Sequence, residues 1–192
     1  MATRVSICSN ALLLLGAKTI NSLDEGTDRA SLASNLYDSV RDSLLRSHPW
    51  NCAVKRVILA PDTETPAFDY SAQVTLAGGG LKTISGGPAG SEAGYKHESG
   101  KVLANGTSLA LRYISRNDNE ATWDSMLVHA MELKMAAEMA YPITGSASMA
   151  DLMNGKLLQH LKAARAVDGQ DDPPQTLGDF RLLNARFGGL GF

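Results

Sequence analysis

The residues whose types could do chemistry in this chain are four histidines, two cysteines and a pair of glutamates in a glycine-rich stretch. His48, His97, His129 and His160 are scattered, and the two in helical patterns, His129 and His160, have no second histidine or cysteine at the i+3 or i+4 spacing of a zinc pair. Gly78-Gly79-Gly80 and Gly86-Gly87 lead into strand patterns, not into a helix opening on Lys-Ser/Thr, so they fail as phosphate loops. No Gly-x-Ser-x-Gly elbow occurs. Glu92 and Glu98 flank His97, and two carboxylates at a suitable separation could cleave a glycosidic bond. Acidic pairs are common in surface loops, so this is the alternative reading and a non-enzyme without cofactor or metal is the principal one.

The elements that would position these groups follow from pattern. A chain of 192 residues, 44% of them apolar, suits one domain or a body with one insertion. Cys8 and Cys52 lie far apart without metal-ligand spacing and read as buried thiols of a reducing compartment. A formal charge of −2 argues against a protein that grips nucleic acid by neutralising phosphates. The longest apolar run, residues 11–15, is too short for a bilayer, and the start lacks a secretion signal. The expectation is a soluble chain, intracellular when made, with no membrane contact.

The organising stretch is His48-Pro49-Trp50-Asn51. Proline fixes its own φ and disfavours helix in the residue before it, so a helix arriving from residue 28 must stop near His48. Trp50 then begins an extended segment and anchors the junction, provided its indole N–H finds an acceptor. His48, Pro49, Trp50 and Asn51 are thus assigned as a structural corner.

Before the corner, Val5, Cys8, Leu12 and Leu15 share one helical face over residues 3–15, with Thr3 as N-cap and Gly16 as stop; the face is wide enough for burial on two sides. The helix over residues 28–47 buries Ala30, Ala33, Leu36, Tyr37, Val40, Leu44 and Leu45, and leaves Arg29, Asp38, Arg41, Asp42 and Arg46 for surface ion pairs. After it, residues 54–59 read as a strand closed by Pro61. Residues 62–115 hold strand-length runs at 73–76, 81–85, 94–97, 101–103 and 108–114, with Asn105-Gly106 as a hairpin signal. Helix returns over 122–141, where Pro142 breaks it. Ser146 or Ser148 caps a last helix to residue 167, and from Asp168 a Pro-Pro linker begins.

These elements give an α+β fold: a body of about four helices (residues 1–60 and 116–168), an inserted small antiparallel β-sheet (61–115), and an extended C-terminal arm (169–192). The arm carries Phe180, Leu182, Leu183, Phe187, Leu190 and Phe192 among glycines, too apolar for solvent and too loose for its own core. It is expected to order against another surface, the alternative being that it packs back onto its own body.

Taken together, Asn10-Ala11-Leu12-Leu13-Leu14-Leu15-Gly16-Ala17, Ser22-Leu23-Asp24-Glu25, Tyr37-x-x-x-Arg41-Asp42-x-Leu44-Leu45 and His48-Pro49-Trp50-Asn51 resemble the tail tubular protein A family of tailed bacteriophages. These are head-to-tail adaptor, or connector, proteins. The resemblance continues through Arg112-Tyr113-Ile114 and the helix pair that follows; many relatives carry an aromatic residue where this chain has Cys52. It implies a virion structural protein, assembled in the host cytoplasm, that forms a ring, dodecameric in the family. Such a ring joins a portal protein above to a nozzle or other tail protein below, and double-stranded DNA passes its lumen without sequence-specific binding. The arm residues Phe180 to Phe192 named above would dock on the portal or a neighbouring subunit. A stand-alone helical binding module is the remaining alternative.

Overall fold

A computed structural model describes residues 1–76, 79–88 and 94–171, in an α+β arrangement of four α-helices and two three-stranded antiparallel sheets. Helix α1 (Arg4–Leu14) opens on a capping box in which Thr3 Oγ1 accepts from the Ser6 amide and Ser6 Oγ accepts from the Thr3 amide. Helix α2 (Asp28–Arg46) is capped by Thr27. Helix α3 (Ser125–Thr144) starts after a 3₁₀ turn at Glu120–Thr122 and is capped by Asp124; α4 (Ala147–Gln170) is capped by Ser146.

Two helix ends differ from the sequence expectation. Pro142 does not break α3, which runs on to Thr144. The carbonyl its ring leaves without a donor belongs to Glu138, and both residues are on the exposed side, where solvent can serve it. The stop is Gly145, at φ 67°, whose amide donates to the Tyr141 carbonyl at 2.8 Å. Nor does α4 end at residue 167. It continues through Gly169 to Gln170, because Asp168 has partners that hold the last turn (below).

The strands are β1 (Val54–Leu59), β2 (Ala72–Thr75), β3 (Gly80–Pro88), β4 (Tyr95–Glu98), β5 (Lys101–Ala104) and β6 (Leu109–Ser115). They form two sheets, not one, ordered β1-β6-β3 and β2-β5-β4. Asn105-Gly106 is therefore no hairpin: β5 and β6, which it joins, belong to different sheets. The hairpin with consecutive positive φ is Ser99-Gly100, between β4 and β5 (φ 49° and 77°).

Strand β6 is the wall between two cores. Leu109 and Leu111, on one of its faces, join Ala72, Val74, Val102 and Ala104 between the sheets. Ile114, of opposite parity, joins the helical core with Tyr37, Trp50, Leu127 and Met131. In that core α3 is the hub on which α1, α2 and α4 each pack. Alanines 130, 136, 137 and 140 bring the neighbouring helices close, and Met131, Met135 and Met139 fill the irregular gaps.

Candidate functional site

Helix α2 ends where the corner demands. The Ser47 amide reaches only the Leu44 carbonyl, and Pro49 has no N–H with which to continue. Trp50 is 1% exposed, and its indole N–H donates to the Leu44 carbonyl at 3.2 Å. It lies in a turn, not in the extended segment expected: the Ala53 and Val54 amides both donate to the Trp50 carbonyl, and the strand begins at Val54. The His48 ring stands edge-on to Trp50, with centroids 4.7 Å apart.

What the corner grips is the end of α4. Asp168 Oδ2 lies 3.0 Å from His48 Nε2, and Asp168 Oδ1 accepts from the Asn51 amide at 3.0 Å. Asn51 Nδ2 donates to the Asp168 carbonyl at 2.6 Å. On its other side the corner is tied to the end of β6 and the chain just after it, where Ser115 Oγ donates to the Ala53 carbonyl and Asn117 Nδ2 to the Cys52 carbonyl. Asp168, read from sequence as the first linker residue, is thus the partner of two of the four corner residues, His48 and Asn51, through three of their polar atoms. One signal could have found it: a carboxylate in a helix's last turn opposes the macrodipole and needs a donor to offset that.

A cysteine, a histidine and an aspartate near one another invite comparison with a nucleophilic triad. The thiol chemistry points the other way: burial, then the Asp168 charge, push the Cys52 thiol up to about 11. A thiolate is scarce there at neutral pH. Cys52 is half-buried, not fully buried as expected; Cys8 is fully buried, and burial pushes its thiol up to about 12.

A second polar network crosses α1, α2 and the segment after β6. The Tyr37 hydroxyl donates to Glu120 at 2.9 Å inside the helical core, where burial and that carboxylate hold the phenol well above its ordinary value. Arg4 lies over the Tyr37 ring and pairs with Asp38 at 2.9 Å. Arg41, expected on the surface, is 4% exposed and bridges Asp38 and Asp42, while Arg116 reaches Asp42 from the other side. Arg46 does not pair with Asp42; it donates to the Leu81 carbonyl on β3.

The glutamates considered for glycan chemistry are not brought together. Glu98 pairs with Lys96 at 2.7 Å, and Glu92 lies outside the described residues. Beside Glu98 runs an open groove of about 350 Å³ lined also by Glu64, Phe68, Tyr70 and Lys101. Lys101, with Gln73 behind it, holds the Glu64 carboxyl below the ordinary carboxylate range. A glycosidic general acid needs the opposite shift.

His97 faces Thr83 Oγ1, His129 Nδ1 faces Glu132 at 3.0 Å, and His160 Nε2 faces the Met126 carbonyl at 2.8 Å. Among the described residues no group of three or more His, Cys, Asp or Glu could hold a metal ion, and no helix is long and apolar enough to cross a membrane. The proposed docking residues Phe180, Leu182, Leu183, Phe187, Leu190 and Phe192 lie outside the described residues. No protein-family model matches the chain, and the search of curated proteins found no match.

Proposed function

We propose that this chain is a structural head-to-tail adaptor of a tailed bacteriophage, a non-enzymatic ring subunit between the portal protein and the tail, with double-stranded DNA passing through the lumen. The observation that carries the reading is the clasp of His48 and Asn51 on Asp168. The stretch on which the family resemblance is most specific fixes the last helical turn before the apolar residues 176–192. An arm that leaves from a rigid anchor loses less freedom on docking than one on a loose tether, so its apolar side chains can hold a portal surface more tightly. The charge balance is compatible with a conduit, since a chain of net charge −2 does not retain DNA by bulk attraction.

Deletion of residues 176–192 tests the reading. The truncated protein is expected to keep the helical circular-dichroism signal and melting temperature of the full chain and to lose attachment to portal-bearing capsids. Normal incorporation of the truncated chain into particles overturns the reading.

A further inference from the structure

We propose that the outward face of the sheet β1-β6-β3 is a contact surface for the phosphate backbone of double-stranded DNA. It rests on the adaptor reading above only for where that DNA comes from; the surface itself follows from the sheet. The chain holds 18 lysines and arginines against 20 acidic residues, yet the charged residues of these three strands are Lys55, Arg56, Lys82 and Arg112, with no carboxylate among them. Arg56 stands directly opposite Arg112 in the β1–β6 register. Residues so opposed share one face of the sheet, and like charges there repel at a cost to the pairing.

Parity says which face. Leu109 and Leu111 enter the inter-sheet core with Val57 and Leu59, so Arg56, Ile58, Ala110 and Arg112 point the other way. Ile114, on that same face, is covered by the helical core, whereas Arg56 is exposed and Arg112 half-buried. Exposed Lys82 lies opposite Ile114 and exposed Ser85 opposite Arg112 on β3, and Arg46 reaches the Leu81 carbonyl of that strand from the end of α2. Among the described residues no ion pair involves Arg46, Lys55, Arg56, Lys82 or Arg112. Arg112 Nε is buried without a hydrogen-bond partner.

Two guanidinium groups held side by side without a carboxylate call for an anion, and their planar forks match phosphate oxygens. The rest of the face says which anion. Its exposed apolar content is Ile58, 67% exposed, opposite Ala110, and a protein partner needs a larger apolar centre. The cations are spread along and across three strands, as a row of phosphates requires and a single small anion does not. Net charge averages over all faces and so conceals this one. With few phosphate contacts the attachment is weak and salt-sensitive, and DNA can slide past it.

Fluorescence anisotropy of the full chain with a random duplex of about 20 base pairs, at roughly 50 and 200 mM salt, tests this. The wild type should bind, and the affinity should fall steeply between the two salt concentrations. Arg56→Gln/Arg112→Gln should weaken binding about tenfold. Arg56→Gln alone, at an exposed position, should keep the wild-type melting temperature and account for part of that loss. Lys156→Gln/Lys162→Gln, which removes the same charge from exposed positions on α4, should leave binding unchanged. Undiminished binding by the arginine variants, or an equal loss in the lysine variant, overturns the proposal. So does a poly-glutamate peptide that binds as tightly as the duplex, which would make the face a surface for acidic protein. If the arginine variants lose DNA and the wild type never attaches to capsids, the adaptor reading falls and this surface stands. If the wild type attaches to capsids and binds no duplex, this surface falls and the adaptor reading stands.

Discussion

Asn51 holds Asp168 at two points, its amide on the Asp168 carboxylate at 3.0 Å and its side-chain amide on the Asp168 carbonyl at 2.6 Å, across 117 residues of sequence. A helix's last turn normally frays, since its carbonyls lack partners. Here the final turn of α4 is fastened to the turn that ends α2. Asp168→Ala removes both carboxylate contacts and leaves the Asn51 amide and His48 Nε2 without that acceptor. The expected cost is about 1–2 kcal/mol. Hydrogen exchange should show residues 165–171 exchanging much faster while the centre of α4 is unchanged.

The Tyr37–Glu120 pair is the most buried polar contact between α2 and the segment before α3. Tyr37→Phe keeps the ring under Arg4 but strands a carboxylate in the core, which should cost about 2–3 kcal/mol in urea unfolding. Tyr37→Phe/Glu120→Gln should recover part of that loss, because an amide is cheaper to bury than a charge. Equal costs for Tyr37→Phe and the double variant would mean that the stranded carboxylate carries no penalty of its own.

The helices, the Thr3 cap, the α4 cap as one of two serines offered (Ser146), and the strand-length run that becomes β6 were legible in the sequence because they depend on local pattern. The need for a Trp50 acceptor was legible for the same reason; the acceptor, Leu44, is six residues away. What was not legible is long-range. Nothing local distinguishes a turn joining two strands of one sheet from one joining two sheets, so Asn105-Gly106 read as a hairpin. Arg41 read as surface because a solvated arginine and one buried between two aspartates occupy the same wheel position. Asp168 read as linker because its partners lie 117 and 120 residues earlier.

Alkaline pH should destabilise the fold. Cys8 ionises near 9 when exposed and is pushed up to about 12 by burial, and Tyr37 is raised above its ordinary value of 10. The folded state therefore holds protons that the unfolded chain has released. Their contribution is fully present below about pH 9 and is lost as pH rises through the folded values, at up to about 1.4 kcal/mol per pH unit for each group. The urea midpoint should fall between pH 8.5 and 10.5, and Cys8→Ala should flatten that slope. An unchanged slope in Cys8→Ala would assign the effect to other groups.

One substitution at two glycines should have opposite signs. At Gly155 an added methyl meets open space in a helix interior, so Gly155→Ala should stabilise the isolated subunit by about 0.5–1 kcal/mol. At Gly86, on β3, a Cβ would come within 2.6 Å of Leu111 Cδ2. Leu111 is fixed in the inter-sheet core, so it cannot swing aside without displacing its neighbours there. Gly86→Ala should therefore cost about 1–3 kcal/mol by overpacking. Paired thermal melts measure both against wild type. Because strand β3 pairs with β6, the Gly86 variant should also speed exchange of β6 amides, whereas the Gly155 variant should slow exchange along α4 alone.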